Sequence, residues 1–232
     1  MPFYYGYGMD PAYLLVVLVA LVLGLGAQAY IRSTYRKWSK VDAGIPGTGA
    51  EVARQMLLTG GAPGVGITRV PGSLTDHYDP RDNMLHLSDD NYRGASVASV
   101  AVACHEAGHA IQAAQGYGFY RLRTSLVPVV NIAQQGWLIV LLLGVMMNAF
   151  GLVQLAIVLF AVSVVFQLVT LPVEIDASRR AVAYLGSFGS GLDEKGARAV
   201  LTAAALTYVA AALASLIQLV YLLGRYGGRG DE

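Results

Sequence analysis

Residues 103–112, ACHEAGHAIQ, hold the pair of histidines around which the rest of the chain can be organised. His105 and His109 stand four residues apart, so on an α-helix they share one face, about 6 Å apart along the axis. Two imidazoles placed in this way can bind one zinc ion. Glu106 lies about 100° round the helix from His105, beside that face, where its carboxylate can reach a water next to the metal. The stretch therefore predicts a zinc site with a general base beside it.

The spacing His-Glu-x-x-His is typical of zinc peptidases, in which the Glu takes a proton from the attacking water and returns it to the leaving amine. Its surroundings favour the same interpretation, because Ser96 to Gln115 contains no Pro and only one Gly, which predicts a helix. Two core histidines and a buried Glu are the alternative. That alternative would leave three polar groups unpaired in apolar surroundings, at a cost of roughly several kcal/mol each.

The composition predicts a membrane protein. Hydrophobic residues make up 55% of the 232 residues, charged residues 13%, and the mean hydropathy is +0.52, which is too apolar for an ordinary soluble domain. The net charge of +1 gives no basis for nucleic-acid binding. Cys104 is the only cysteine, so no intramolecular disulfide can form, and its position predicts a small core residue rather than a reactive thiol.

Four apolar runs are long enough to cross a bilayer, at residues 12–31, 126–149, 152–171 and 199–223. The first could instead be a cleaved signal peptide, since Ala27-Gln28-Ala29 resembles a cleavage site. No Lys or Arg precedes this run, as a signal peptide would require, so we predict an uncleaved transmembrane helix.

Basic residues set the predicted orientation. Of the sixteen Lys and Arg residues, ten lie between Arg32 and Arg123, and four more lie between the third and fourth runs. By the positive-inside tendency these segments are cytoplasmic, with both termini outside. Two spans separate the histidine pair from residue 172, so both sides of a zinc site would meet at the cytoplasmic face.

Residues 41–94 are polar and rich in Gly and Pro, which predicts an extramembrane segment. A short helix should begin after Thr48 and end at Gly60. Residues 73–90, SLTDHYDPRDNMLHLSDD, predict a β-hairpin, and a strand beside a zinc helix can pair with an extended substrate. The hairpin carries the other two histidines, His77 and His86. A half-exposed strand histidine is the simpler interpretation of His86, whereas His77 is our first candidate for the catalytic hydrogen-bond donor.

Tyr78 and Arg179 are the weaker alternatives for the catalytic hydrogen-bond donor.

The third zinc ligand must come from downstream, because the positions where related sites carry a third His hold glutamines here. Glu174 and Asp176 are the candidates. Asp176 has arginines three and four residues further on as partners, whereas Glu174 has none, so Glu174 is the predicted ligand. Two His, one Glu and an open position form a known catalytic zinc arrangement.

Four segments together resemble the YugP family of membrane zinc metallopeptidases: DHYDP at 76–80, LHLSDD at 85–90, VAVACHEAGHAIQ at 100–112 and LPVEIDASRRA at 171–181. The resemblance covers nearly the whole chain. It implies a multi-pass bacterial membrane protein with zinc on His105, His109 and an acidic residue of the Glu174 segment, and with Glu106 catalytic.

The chain is similar, more distantly, to HtpX-type membrane proteases, whose third ligand lies in a Glu-x-x-Ala-Asp segment. Here Glu174 and Ala177 match, but Ser178 stands where that family has Asp. The residue that would orient the ligands is therefore missing from its place, and Asp176 is the predicted substitute.

The sequence thus predicts a mainly α membrane protein: four transmembrane helices with a small cytoplasmic α+β zincin-like part, made of the zinc helix and the hairpin. The predicted domains are an N-terminal transmembrane helix (1–31), the zincin-like region (32–125), three transmembrane helices (126–223) with a cytoplasmic loop at 172–198, and a polar tail (224–232).

The predicted function is a membrane-embedded endopeptidase with one Zn²⁺ per chain, acting on membrane-associated or unfolded proteins near the cytoplasmic face of the cell membrane. Its predicted partners are a protein or peptide substrate and the lipid bilayer, and not nucleic acid, while a homo-oligomer or a regulatory membrane partner is left open. The alternative is a non-catalytic, zinc-stabilised scaffold or adaptor. A transporter is disfavoured because the spans carry no charge pair and no clear repeat.

Overall fold

The computed structural model describes residues 10–189 and 193–227. The described helices are α1 (Pro11–Trp38), α2 (Gly49–Thr59), α3 (Asp89–Arg93), α4 (Val97–Ala114), α5 (Gly118–Met146), α6 (Phe150–Gly186) and α7 (Glu194–Tyr226), and the strands are β1 (Gly66–Val70), β2 (His77–Asp79) and β3 (Met84–Ser88). Helices α1, α5, α6 and α7 are long and apolar enough to cross a membrane. A mainly helical protein with four candidate spans and a small sheet is therefore confirmed, and the cytoplasmic placement of the sheet stays a prediction.

The long helices extend beyond the apolar runs that predicted them. Helix α6 continues through Pro172 to Gly186, so the first half of the predicted loop 172–198 is helical. The reason is that the Glu, Ala and Arg residues after Pro172 are good helix formers although they are too polar to count as a span. Residues 190–192 of that loop and 228–232 of the predicted tail lie outside the described residues, as do residues 1–9.

The chain divides into two units: Met1–Gly26, Leu126–Leu168 and Val209–Glu232 form unit 1, and Ala27–Ser125 and Val169–Tyr208 form unit 2. Unit 1 is helical where it is described. Its buried cluster includes Ile157, Phe160 and Leu222, and the ring of Trp137 packs 4.6 Å from that of Phe160. Many other apolar side chains of this unit are exposed, as suits helices surrounded by lipid.

Unit 2 has a second core, built around α4. Helix α2 packs along α4 and is bounded as predicted, since Thr48 and Glu51 form a capping box at its start and Gly60 caps its end. Leu57, Leu85 and Val97 are fully buried in this core. Helices α2 and α3 and the sheet therefore pack against α4 on several sides.

The predicted hairpin is confirmed: β2 pairs antiparallel with β3, with His77 opposite His86. The sheet also has a third strand that the sequence did not indicate. Strand β1 pairs in parallel with β3, giving the order β1-β3-β2. Both β2 and β3 contact α4, so the sheet places the hairpin beside the helix that carries His105 and His109.

Candidate metal centre

Helix α4 supplies the first two side chains of the site. Ser96 caps its start through a hydrogen bond to the backbone N–H of Ser99, and the helix runs to Ala114, as predicted. His105 and His109 lie on the same face, one turn apart and buried, with ring centroids 4.7 Å apart and ring planes at 81°. Their Nε2 atoms point to one place, the carboxylate of Glu174.

Glu174 comes from α6 and is only 2% exposed. Its Oε2 lies 3.2 Å from Nε2 of His105 and 3.5 Å from Nε2 of His109. The three ligand atoms all lie within 4.8 Å of one another, close enough for a single metal ion to bind all three. The structure thus brings together the two histidines and the acidic residue that the sequence predicted as ligands.

A glycine between the histidines makes this approach possible. A Cβ atom on Gly108 would lie 2.8 Å from the backbone oxygen of Ala177, one turn beyond Glu174 on α6. Because real Cβ atoms do not come so close to a backbone oxygen, α6 can pack this tightly on α4 only where α4 has a glycine. The close packing brings the Glu174 carboxylate within reach of both imidazoles.

The outer nitrogen of each imidazole has its own partner. Nδ1 of His109 lies 3.1 Å from Oε1 of Gln112, and Nδ1 of His105 lies 3.1 Å from Oγ of Ser178. Gln112 donates its amide hydrogens to the backbone oxygen of Val173 and to Asp176, which orients the amide so that its acceptor atom, Oε1, faces His109. His109 must therefore carry its proton on Nδ1, which leaves the Nε2 lone pair free for a metal.

Asp176 acts on His109 indirectly, through Gln112. Its Oδ2 accepts from Gln112 at 2.8 Å and from Nε of Arg180 at 2.6 Å. Asp176 therefore holds Gln112, which in turn orients His109. Ser178, at the position where the more distant family has Asp, contacts His105 directly.

Glu106 is buried beside the cluster, at 9% exposure. Burial raises the pKa of its carboxyl to about 7, and the charges of Glu174 and Asp76 raise it too, while the charge of His105 opposes them. A carboxyl group whose pKa lies near neutrality can both accept and release a proton at physiological pH. A divalent cation bound to the neighbouring ligands would favour its charged form.

A cavity of about 240 Å³ opens onto these groups within unit 2. Its wall includes His105, Glu106, Asp76 and Tyr208, together with apolar side chains such as Val102 and Leu201. Asp76 accepts hydrogen bonds from Ser88 and Asn91, which hold the loop before β2 against the cavity. The cavity therefore combines a possible metal site, a carboxyl base and apolar surface.

The fifth predicted site residue, His77, stands apart from the ligand cluster. Its ring stacks on that of His86, with centroids 4.7 Å apart and planes at 8°, and its Nδ1 lies 2.8 Å from the backbone oxygen of Thr75. His77 lies close enough to Glu106 to contribute to its electrostatic surroundings, so it is in the neighbourhood of the site. Its role as a hydrogen-bond donor stays a prediction.

Sequence reasoning missed Gln112 and Ser178 as partners of the histidines. The i, i+3 spacing from His109 could have pointed to Gln112. Nothing in the sequence pairs Ser178 with His105, because that contact depends on how α6 packs against α4. Tyr208 was also missed, since a tyrosine inside an apolar run carries no signal of its own.

The donor set fits zinc. Two imidazoles and one carboxylate are its usual ligands at catalytic sites, and each imidazole here has an outer partner that fixes its orientation. The protonation of His109 enforced by Gln112 is the form that binds a metal through Nε2.

Comparisons with known proteins agree with this geometry. The sequence profile of a family described as "Putative neutral zinc metallopeptidase" matches residues 13–226. The chain is also 43% identical to "Putative membrane protease YugP" of Bacillus subtilis (strain 168) over 220 residues, which cover 92% of this chain and 98% of that relative. No solved structure matches the chain.

Proposed function

The chain belongs to the family of neutral zinc metallopeptidases, and from this premise we propose that it is a membrane-embedded endopeptidase that uses one zinc ion per chain. The observation that carries the proposal is the convergence of His105, His109 and Glu174 beside the buried carboxyl of Glu106. A purely structural zinc site would have four protein ligands, whereas three ligands leave a position for water and substrate.

His105, His109 and Glu174 would hold the ion. Bound there, zinc would polarise the scissile carbonyl and lower the pKa of a water molecule. Ser178 and Gln112 would keep the two imidazole rings in their binding orientation.

Glu106 would transfer the proton. Its carboxylate takes a proton from the attacking water, whose oxygen bonds to the carbonyl carbon. As the carbon–nitrogen bond breaks, the same carboxyl group gives the proton to the leaving amine. A pKa raised by burial suits the second half of this cycle, because the protonated form is then accessible near neutral pH.

We place the site at the cytoplasmic face. The support is the row of basic residues that ends α1 and continues after it, at Arg32, Arg36, Lys37 and Lys40. The substrates would be membrane-associated or unfolded proteins close to that face, and β2, an edge strand of the sheet, offers backbone groups to an extended peptide. A reporter fused near Tyr120 and found outside the cytoplasm would reverse this orientation.

The test of the function is Glu106→Gln, which keeps the shape of the side chain and removes its basicity. In micelles, with fluorescein-labelled casein as substrate, we expect cleavage to fall by about 10²- to 10⁴-fold while elemental analysis still finds zinc. Glu194→Gln, an exposed change on α7, is the matched control and should leave cleavage unchanged.

Two results would overturn the proposal. Cleavage unaffected by Glu106→Gln would mean that another protein in the preparation cuts the casein. A zinc-loaded natural protein that cleaves neither casein nor membrane proteins of its host would point to the scaffold alternative, in which zinc serves stability alone.

A further inference from the structure

Tyr208 is a polar side chain of the cavity wall that the proposed proton transfer does not use. It lies on α7, lines the same cavity as His105 and Glu106, and is 38% exposed. Its hydroxyl lies close enough to Glu174, the carboxylate that also faces both histidine Nε2 atoms, for the two groups to interact. The phenol therefore reaches the place where a substrate carbonyl would have to lie to be polarised.

A positively charged side chain lies near this hydroxyl. The guanidinium of Arg123, on α5, is close enough for its charge to act on Tyr208. Its Nε is buried and has no hydrogen-bond partner among the residues that the structure describes. A nearby positive charge makes a phenol a stronger hydrogen-bond donor and favours negative charge on whatever accepts that bond.

The other hydroxyl donors of the cavity are already engaged. Tyr35 donates to Oδ1 of Asn91 at 2.8 Å, and Thr207 donates to the backbone oxygen of Ala204 at 2.6 Å. Asp76 and Glu106 carry carboxyl groups, which accept when ionised. Of these three hydroxyls, only that of Tyr208 lies close enough to Glu174 to interact with it.

Hydrolysis of a peptide turns the planar carbonyl into a tetrahedral centre with a negative oxygen. A donor already in place for that oxygen lowers the barrier, because it binds the transition state more strongly than the substrate. We infer that the Tyr208 hydroxyl donates the hydrogen bond that stabilises this oxyanion, an inference that rests on the proposed peptidase function. Tyr208 keeps its proton throughout, so it acts by charge stabilisation and not as an acid.

The test compares Tyr208→Phe with Tyr184→Phe, a matched control in which a tyrosine ring packed on Phe188, outside the cavity, loses its hydroxyl. With labelled casein we expect Tyr208→Phe to lower kcat by about 10²- to 10³-fold with little change in KM. Elemental analysis should find zinc in both variants, because Tyr208 is not needed as a ligand.

Binding of a phosphonamidate tripeptide provides a readout that does not need turnover. Its tetrahedral anionic phosphorus resembles the reacting carbonyl, so its affinity for the zinc-loaded protein should fall by about the same factor in Tyr208→Phe. Affinity for the corresponding tripeptide without the tetrahedral phosphorus should not change. His77→Ala, measured in parallel, tests the donor that the sequence favoured.

Each outcome decides something. Zinc lost from Tyr208→Phe would show that the hydroxyl only positions Glu174, and unchanged kcat and phosphonamidate affinity would show that it stabilises nothing; either result overturns the inference and leaves the peptidase proposal standing. A drop in kcat for His77→Ala alone would transfer the role to the hairpin. A natural protein that cleaves no casein and binds no phosphonamidate would overturn the proposed function, and this inference with it.

Discussion

The described part of the chain contains two pairs of histidines with the same separation and opposite arrangements. In both pairs the ring centroids are 4.7 Å apart. The rings of His105 and His109 stand at 81° to each other on one helix, whereas those of His77 and His86 stack at 8° across two strands. Proximity of two histidines therefore does not distinguish a metal site from a surface feature.

What distinguishes the pairs is where their nitrogens point. In the hairpin, Nδ1 of His77 meets the backbone of Thr75, and Nε2 of His86 meets Asp82 at 2.9 Å, so each ring is satisfied by a near neighbour in sequence. On α4, both Nε2 atoms converge on Glu174, which is more than sixty residues away. Convergence on a carboxylate supplied by a distant element is what suits a pair to bind metal.

The largest expected effect tests this contrast directly. We expect His105→Ala, His109→Ala and Glu174→Ala each to lose the zinc, because two remaining ligands cannot hold it against a chelator. His77→Ala and His86→Ala should keep about one zinc ion per chain. The measurement is elemental analysis of protein purified in the same detergent.

Zinc lost from His77→Ala would mean that the hairpin contributes a ligand and that the two pairs work together. Zinc retained by Glu174→Ala but lost from Asp176→Ala would move the third ligand by two residues. Either result would remove the distinction between converging and locally satisfied histidines.

The carboxyl groups of the two regions differ in the same way, and the second prediction uses them. Burial raises the pKa of Glu106 to about 7, whereas a hydrogen bond from Arg81 lowers that of the half-buried Asp79 to about 2. Between the ordinary pKa of a Glu and about 7, folded Glu106 holds a proton that the unfolded chain has released. In the zinc-free protein, Glu106 therefore makes the free energy of unfolding fall as the pH rises through that range.

Glu106→Gln removes this pH dependence. Relative to the variant, the chelator-treated natural protein should become less stable from pH 5 to pH 8 by up to about 3 kcal/mol. Thermal unfolding of both proteins across that range gives the comparison. Asp79→Asn is the control. A carboxyl with a lowered pKa stabilises the fold at every pH above its ordinary pKa, and this contribution is lost only in acid. Between pH 5 and pH 8 the stability of this variant should therefore parallel that of the natural protein. Parallel curves for Glu106→Gln would show that burial does not shift its pKa.

The parts of the fold that could be predicted are those with local signals. Thr48 and Gly60 bound α2 as capping residues, the turn at 79–83 produces the hairpin, and residues 97–114 form α4 within the predicted stretch 96–115. Strand β1 was not predicted, because its parallel pairing with β3 is set by tertiary packing and not by the turn between adjacent strands. Each apolar run was shorter than the helix it predicted and differed from it at the ends, since hydropathy marks the stretch suited to lipid and not the end of the hydrogen-bonded backbone.

The candidate site divides in the same way. His105, Glu106 and His109 follow from spacing on one helix, and Glu174 followed from the absence of a salt-bridge partner. The importance of Gly108 could not be predicted, because its lack of a side chain matters only where Ala177 of α6 approaches it. The same packing of two helices determines the contacts of Ser178 and Gln112, which no local pattern reveals.

The smallest expected effect concerns the outer partners of the imidazoles. Ser178→Ala and Gln112→Ala remove the groups that orient His105 and His109, and we expect each to weaken zinc binding by about 10- to 100-fold without abolishing it. Asp82→Ala removes the corresponding partner of His86 and should leave zinc affinity unchanged. Competition with a chromophoric chelator measures all three.

The Gln112→Ala and Ser178→Ala variants should also differ from each other. Gln112 donates to both the buried backbone oxygen of Val173 and the part-buried carboxylate of Asp176, so its removal leaves two acceptors without that donor. Among the described residues, the Ser178 hydroxyl contacts His105 alone. Gln112→Ala should therefore lower zinc affinity and stability together, and Ser178→Ala chiefly zinc affinity. Affinity that is unchanged in both would mean that the imidazoles are held by packing alone, and that their outer partners are no more important than those of the hairpin pair.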